Sequence, residues 1–169
     1  QRQMCIRDSL HSAYPISNFA ERSSGFYKAV RAAGMSSSRS IVHKLTPSME
    51  GAYADMMELI KNGEELAPCY FADNDLIAVG AIKALKEADT GPLDIGIVGF
   101  DNLPLGSVIE PALTTIHVPK QYMGEAAAQK LIDLLQRPEA SDKDRGIYDA
   151  GEEGDGVNPC LLYTSDAAD

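Results

Sequence analysis

Cys69-Tyr70-Phe71-Ala72, followed by Asp73-Asn74-Asp75, and Ile95-Gly96-Ile97-Val98-Gly99-Phe100, followed by Asp101-Asn102, decide the fold of this chain. Each is a short, nearly unbroken apolar run that ends in acidic and amide residues. Such runs read as strands buried on both faces, the habit of parallel sheets covered by helices. In these sheets ligands bind beyond the carboxyl ends of the strands. Asn74, Asp75 and Asp101 are therefore predicted to line one crevice, offering acceptors and an amide to something polar.

The segments around these runs alternate between helical and strand-like patterns. Leu76, Val79, Ile82 and Leu85 fall on one helical face, predicting a helix from Leu76 to Glu87 with Asp75 suited to cap its start. Upstream, Ser40 to Leu45 reads as a strand around Ile41 and Val42. Ser48 can then cap a helix carrying Tyr53, Met56, Met57 and Ile60, which Asn62-Gly63 stops. Earlier still, Phe26, Val30 and Ala33 mark a helix with Gly34 where a C-cap belongs. Downstream, Leu113 to Val118 reads as a strand and Gln121 to Leu135 as a helix with one stripe of Met123, Ala127, Leu131 and Leu134-Leu135. This order predicts an α/β fold with a parallel sheet, right-handed crossovers and helices on both sides. Pro138 to Gly156, polar, acidic and carrying Gly146, Gly151, Gly154 and Gly156, reads as a mobile loop.

Both ends read differently from the middle. Met4-Cys5-Ile6-Arg7-Asp8-Ser9 and Cys160-Leu161-Leu162-Tyr163-Thr164-Ser165, taken back through the genetic code, fit opposite strands of one DNA that resembles a transposon-end sequencing adapter. Residues 1–9 and 160–169 are accordingly set aside, as scars are. What remains, Leu10 to Pro159, is long enough for one domain with a core, and is expected to be a fragment of a longer protein. Without Arg2, Arg7, Asp8, Asp166 and Asp169 the net charge moves from −10 to −9. An acidic domain does not itself grip a nucleic-acid backbone, which calls for clustered Lys and Arg. Cys69 is the one cysteine left, which excludes an internal disulfide and suits a reducing compartment. No apolar run approaches the roughly 18 residues a membrane helix needs.

Several pieces, in order, resemble the effector-sensing domain of the LacI/GalR family of bacterial transcription regulators. They are Arg22-x-x-Gly25-Phe26, Asn74-Asp75-x-x-Ala78-x-Gly80, Ile97-Val98-Gly99-Phe100-Asp101-Asn102 and Pro111-Ala112-Leu113-Thr114-Thr115-Ile116, with Gly124 matching inside the last helix. The resemblance covers about Leu10 to Leu135. It implies a periplasmic-binding-protein-like type I fold, incomplete here, in which two α/β subdomains hinge around a small ligand. Residues 10–118 would be the C-terminal subdomain, and 119–137 a helix belonging to the otherwise missing N-terminal one. Residues 138–159 would hold the acidic loop and, at Val157-Asn158-Pro159, the start of a truncated strand. The partners implied are a small-molecule effector (a sugar or nucleoside), a second copy of the chain, and operator DNA reached through a helix-turn-helix absent here. The place of action implied is the cytoplasm.

By the same resemblance Arg22 is a ligand contact, its planar fork of donors suiting hydroxyls or a carboxylate. Asp101 maps onto the family's ligand aspartate, and Asn74 can donate and accept at once. Asp75 and Thr46 complete the expected ligand set, although neither Leu45 nor Thr46 supplies the aromatic ring many relatives place near that loop. Val79 and Ile109 match positions that pack across the family's dimer interface. No cofactor and no enzymatic activity are expected. His11, His43 and His117 lack zinc-ligand spacing, and there is no G-x-S-x-G elbow or phosphate loop. Two other readings stay open from the residues: a solute-binding protein of a sugar transporter, and a phosphoryl-transfer enzyme holding Mg²⁺ on Asp73, Asp75 and Asp101.

Overall fold

The computed structural model describes residues 8–35, 40–88, 95–136 and 163–164. The expected loop over 138–159 and the expected strand start at Val157 lie outside them. The described residues fall into two compact units, one holding those up to His117 together with Thr164 and another those from Val118 to Tyr163.

The first unit is a parallel sheet with three helices. Its elements in chain order are β1 (Ser9–Ser12), α1 (Ser17–Ala32), β2 (Val42–Leu45), α2 (Met49–Lys61), β3 (Cys69–Ala72), α3 (Asp75–Glu87), β4 (Gly96–Asp101), a 3-10 turn (Pro104–Ser107) and β5 (Thr114–His117). The strands stand in the order β2-β1-β3-β4-β5, followed by a two-residue β6 (Tyr163–Thr164). The pairs from β2 through to β5 are all parallel. Each expected strand and helix is present to within two residues at the ends.

One strand was not foreseen. β1 has a single apolar side chain, Leu10, among Ser9, His11 and Ser12, so no apolar run announces it. Asp8 and Ser9, set aside with the first nine residues, belong to the start of this interior strand: both are buried. The Asp8 carboxylate accepts the Ile41 N–H at 2.6 Å, and the Phe71 N–H donates to the Asp8 carbonyl.

Helix ends follow side-chain chemistry. The Ser48 side chain accepts the Gly51 N–H and caps α2 as expected. Gly34 and Gly63, at φ +73° and +71°, follow α1 and α2. The cap of α3 is a correction: Asn74, not Asp75, is the N-cap, its Oδ1 accepting the Ile77 N–H at 2.9 Å. Asp75 is the first helical residue instead.

The core lies on one face of the sheet. Leu10, Leu45, Tyr70, Ala72 and Ile97 point there and meet Ala52 and Met56 of α2 and Ile77, Ala81 and Ala84 of α3. The two helices approach closely because residue 80 is glycine. A Cβ there would collide with the Met49 carbonyl and Ala52. The opposite face is covered by α1, through Phe26 stacked on Phe71 at 4.9 Å. That cover is partial, since Val42 and Val98 are 43% and 37% exposed. The expectation of strands buried on both faces is thus met by the core face alone. Apolar runs do not distinguish a covered face from a half-covered one.

The second unit is described by α4 (Lys120–Gln136), whose Tyr122, Met123, Leu131, Ile132 and Leu135 are exposed. No helix among the described residues is long and apolar enough to cross a membrane.

Candidate functional site

Because β1 to β5 are parallel, their carboxyl ends share one edge, and the segments that follow them meet there. The chain leaves β1 toward β2 on one side, while β3 pairs with β1 on the other. The order reverses between β1 and β3, the place where such sheets open a ligand crevice. Ser12, Asp73 and Asn74 stand at that point, with Asp101 one strand further on.

Arg22 reaches over this edge from the second turn of α1. Its Nη2 donates to Asp101 Oδ1 at 2.9 Å and its Nη1 to Oδ2 at 3.4 Å, a bidentate pair. Nη1 also donates to the Asp73 carbonyl at 2.7 Å. The guanidinium carbon lies 4.1 Å from the Phe100 ring centroid and 5.4 Å from that of Phe19. Rings on a guanidinium add a cation–π attraction and hold its plane in one direction. Three of its five N–H donors are used in these bonds, leaving two for another acceptor. Arg22 and Asp101 keep 15% and 21% of their side-chain surface, so a ligand can reach both.

Asp101 takes this position through an unusual backbone. Asp101 and Asn102 have φ of +107° and +48°. Two successive non-glycine residues in that region cost of order 1–3 kcal/mol each, and persist only where their surroundings hold them. The Asn102 N–H donates to Thr115 Oγ1, and its amide nitrogen pairs with His117 Nδ1 at 3.0 Å.

Beneath Arg22 lies a polar network that sequence reasoning missed. Asp73, 1% exposed, accepts the Ser12 N–H at 2.8 Å through Oδ2. Its Oδ1 meets His11 Nδ1 at 3.0 Å and the Ser23 hydroxyl at 3.2 Å. His11 Nε2 continues to Ser9 Oγ, and Ser9 Oγ to Tyr27 Oη. This network welds β1, β3 and α1 together at the switch point. A buried carboxylate needs partners, and Asp73 after an apolar run was the available signal.

The other expected ligand residues divide. Asn74 is 8% exposed and uses its Oδ1 in the cap of α3. Asp75 is a correction: it is fully buried and does not face the crevice. Its Oδ2 accepts the Leu103 N–H at 2.6 Å and its Oδ1 the Thr115 hydroxyl at 2.5 Å. Burial pushes its carboxyl above the ordinary range, against the lowering effect of these bonds, and the nearby Asp101 charge adds to the rise. Thr46, half-buried, follows β2 and donates its N–H to Asp55. Strand spacing puts β2 about 14 Å from β4, so the structure does not gather Thr46 with the Arg22–Asp101 pair. Val79 is 4% exposed within the chain's own core, and Ile109 packs partly buried against it.

The carboxylates of Asp73, Asp75 and Asp101 bond to different groups: Ser12, His11 and Ser23 for the first, Leu103 and Thr115 for the second, and Arg22 for the third. Among the described residues no group of three His, Cys, Asp or Glu side chains could hold a metal ion.

A parallel sheet whose charged and amide side chains gather beyond its carboxyl ends defines a class, the ligand-binding α/β domains. Within that class, the chain belongs to the family of periplasmic binding protein-like domains, which residues 5–147 match. It is 34% identical over 121 residues to the HTH-type transcriptional regulator GalS of Salmonella typhimurium, covering 71% of this chain and 35% of that protein. It is 35% identical to the ribose operon repressor of Escherichia coli, over 69% of this chain and 36% of the repressor. The chain thus spans about a third of the length of the curated relatives it matches. Among solved structures it resembles a LacI family transcriptional regulator from Enterococcus faecium with bound ribose. That match has a TM-score of 0.69 and 31% identity, covering 79% of this chain and 49% of that one. The cellobiose complex of the transcriptional regulator CelR superposes with a TM-score of 0.68 at 25% identity, over 80% and 42%. The kinship with LacI-type effector domains expected from the four motifs holds.

Proposed function

We propose that this chain is the effector-sensing part of a cytoplasmic bacterial transcription regulator, a repressor, that binds a small polar ligand. The ligand class is a sugar, with a nucleoside or purine as the second choice. The single observation that carries the reading is the Arg22–Asp101 pair at the carboxyl edge of the sheet, exposed enough to be reached and rigid enough to select hydroxyl geometry. Asn74 would add an amide donor beside it. The names of the relatives, regulators and repressors rather than enzymes, support the same reading.

In this proposal operator DNA is held by a part of the regulator outside this chain, whose own charge is −10. Effector binding shifts the balance between two arrangements only by its differential affinity for them. That shift is what couples the ligand site to the DNA site. Pairing of two copies belongs to the proposal as well. Val108, 79% exposed beside Ile109, supports a face made for contact.

The test is calorimetry of the full-length gene product against ribose, galactose, cellobiose and a purine panel, with operator binding measured alongside. One ligand of the panel is expected to bind and to change operator affinity. Binding with no change in operator affinity would refute the switch. Normal binding in both Arg22→Ala and Asp101→Ala variants would refute the site.

A further inference from the structure

We propose that Asp75 is the positioning residue of the site: from inside the domain it holds the left-handed corner that presents Asp101 to Arg22. The inference rests on the reading of Arg22 and Asp101 as ligand contacts and assigns Asp75 a task other than touching the ligand.

Three observations carry it. The Asp75 carboxylate is fully buried at the first turn of α3, yet both oxygens are engaged by the segments around Asp101 rather than by its own helix. Oδ2 takes the Leu103 N–H, directly after the corner. Oδ1 takes the Thr115 hydroxyl, whose oxygen in turn accepts the Asn102 N–H at 3.2 Å. One carboxylate therefore ties, directly or through Thr115, the two residues after Asp101.

The sequence leaves room for this arrangement. A Cβ at residue 99 would run into Asp75 Oδ1 and Leu113, so glycine in β4 is what lets the carboxylate pass beside the strand. The corner needs such a hold, because two adjacent non-glycine residues at positive φ relax when nothing constrains them. Relaxation would turn the Asp101 carboxylate away from the guanidinium. A buried carboxylate is also a strong fastener, since charged acceptors make stronger hydrogen bonds than neutral ones.

The experiment uses this chain labelled with ¹⁵N-arginine and reads the Arg22 side chain by NMR, assigned with Arg22→Lys. A bidentate pair restrains rotation of the guanidinium and separates its Nη signals. In Asp75→Ala and in Thr115→Val the rotation is expected to speed up by about tenfold or more, the ratio set by about 1.4 kcal/mol of lost hold. Thr115→Ser, which keeps the hydroxyl, should restore the restrained signal. Met56→Ala, which opens the core far from the corner, should destabilise the fold and leave the Arg22 signal unchanged. Should Asp75→Ala not fold, Thr115→Val and its serine rescue decide. An Arg22 signal equally restrained in Thr115→Val, or released as much by Met56→Ala, overturns the assignment. Neither outcome depends on ligand, so a failed ribose titration would count against the proposed function and leave this test standing.

Discussion

The ion pair between Arg22 and Asp101 is expected to contribute measurably to the stability of the chain without any ligand. Arg22→Met keeps an unbranched apolar stem but removes the guanidinium, and Asp101→Asn keeps the shape and tolerates the positive φ at that position. Together they form a double-mutant cycle that isolates the charge interaction. Charge centres about 4 Å apart attract by about 4 kcal/mol at an effective dielectric constant of about 20. Withdrawing the two groups from water takes back a large part of that, since their side chains retain only 15% and 21% of their surface. The amide of the Asp101→Asn variant would still accept one hydrogen bond, which lowers the difference further. A net coupling of about 1–2 kcal/mol remains, above the usual value for an exposed pair because the geometry is bidentate. The assay is urea unfolding followed by circular dichroism. With a slope of about 2 kcal/mol per molar, the coupling appears as a midpoint difference of about 0.5–1 M beyond additivity. A coupling within about 0.3 kcal/mol of zero, the spread of independent sites, would show that the pair is not held as described.

Other perturbations test the neighbouring parts. Burial raises the carboxyl of Asp75 above its ordinary value of 3.8, so the folded chain binds a proton that the unfolded chain releases. Its favourable contribution is full below that ordinary value and is lost as pH rises through the raised one. The stability difference between Asp75→Asn and the unsubstituted chain should therefore slope in favour of the variant across that window, and a flat difference in urea titrations from pH 3 upward would contradict it. Asn74→Ala should cost about 1 kcal/mol through the lost cap of α3, whereas Asn74→Asp should cost little. In calorimetry with a ligand that binds, Arg22→Ala and Asp101→Ala should each lose roughly 1–3 kcal/mol of affinity, the range for hydrogen bonds to charged groups.

How much of this was legible beforehand depended on which signals are local. β3, β4 and α3 were readable because apolar spacing reports a buried face, and Ser48 and Gly34 because capping is decided within one turn. Arg22, Asn74 and Asp101 were recognisable by resemblance, and the parallel order then placed them at one edge. β1 was not readable, because its polar side chains are satisfied by Asp73, Tyr27 and α1, partners distant in sequence. The exchange of roles between Asn74 and Asp75 was hidden for the same reason. Both residues can cap a helix, and the choice fell to Asn74 because Leu103 and Thr115 claim the carboxylate of its neighbour from segments still to come.

That division explains why the site has its particular composition. In the proposed site a ligand contact must stay reachable, and Asp101 keeps part of its surface while taking a strong partner in Arg22. A contact that is reachable and also strained needs support from groups that are not reachable, and Asp75 and Asp73 provide it from below: one fixes the corner of β4, the other offers the carbonyl that steers Arg22. Three acidic residues that look interchangeable at the ends of two strands thereby acquire separate tasks, set by burial and partners rather than by residue type. The Mg²⁺ reading of the same three residues required them to converge on one point, and their separate partners are what speaks against it.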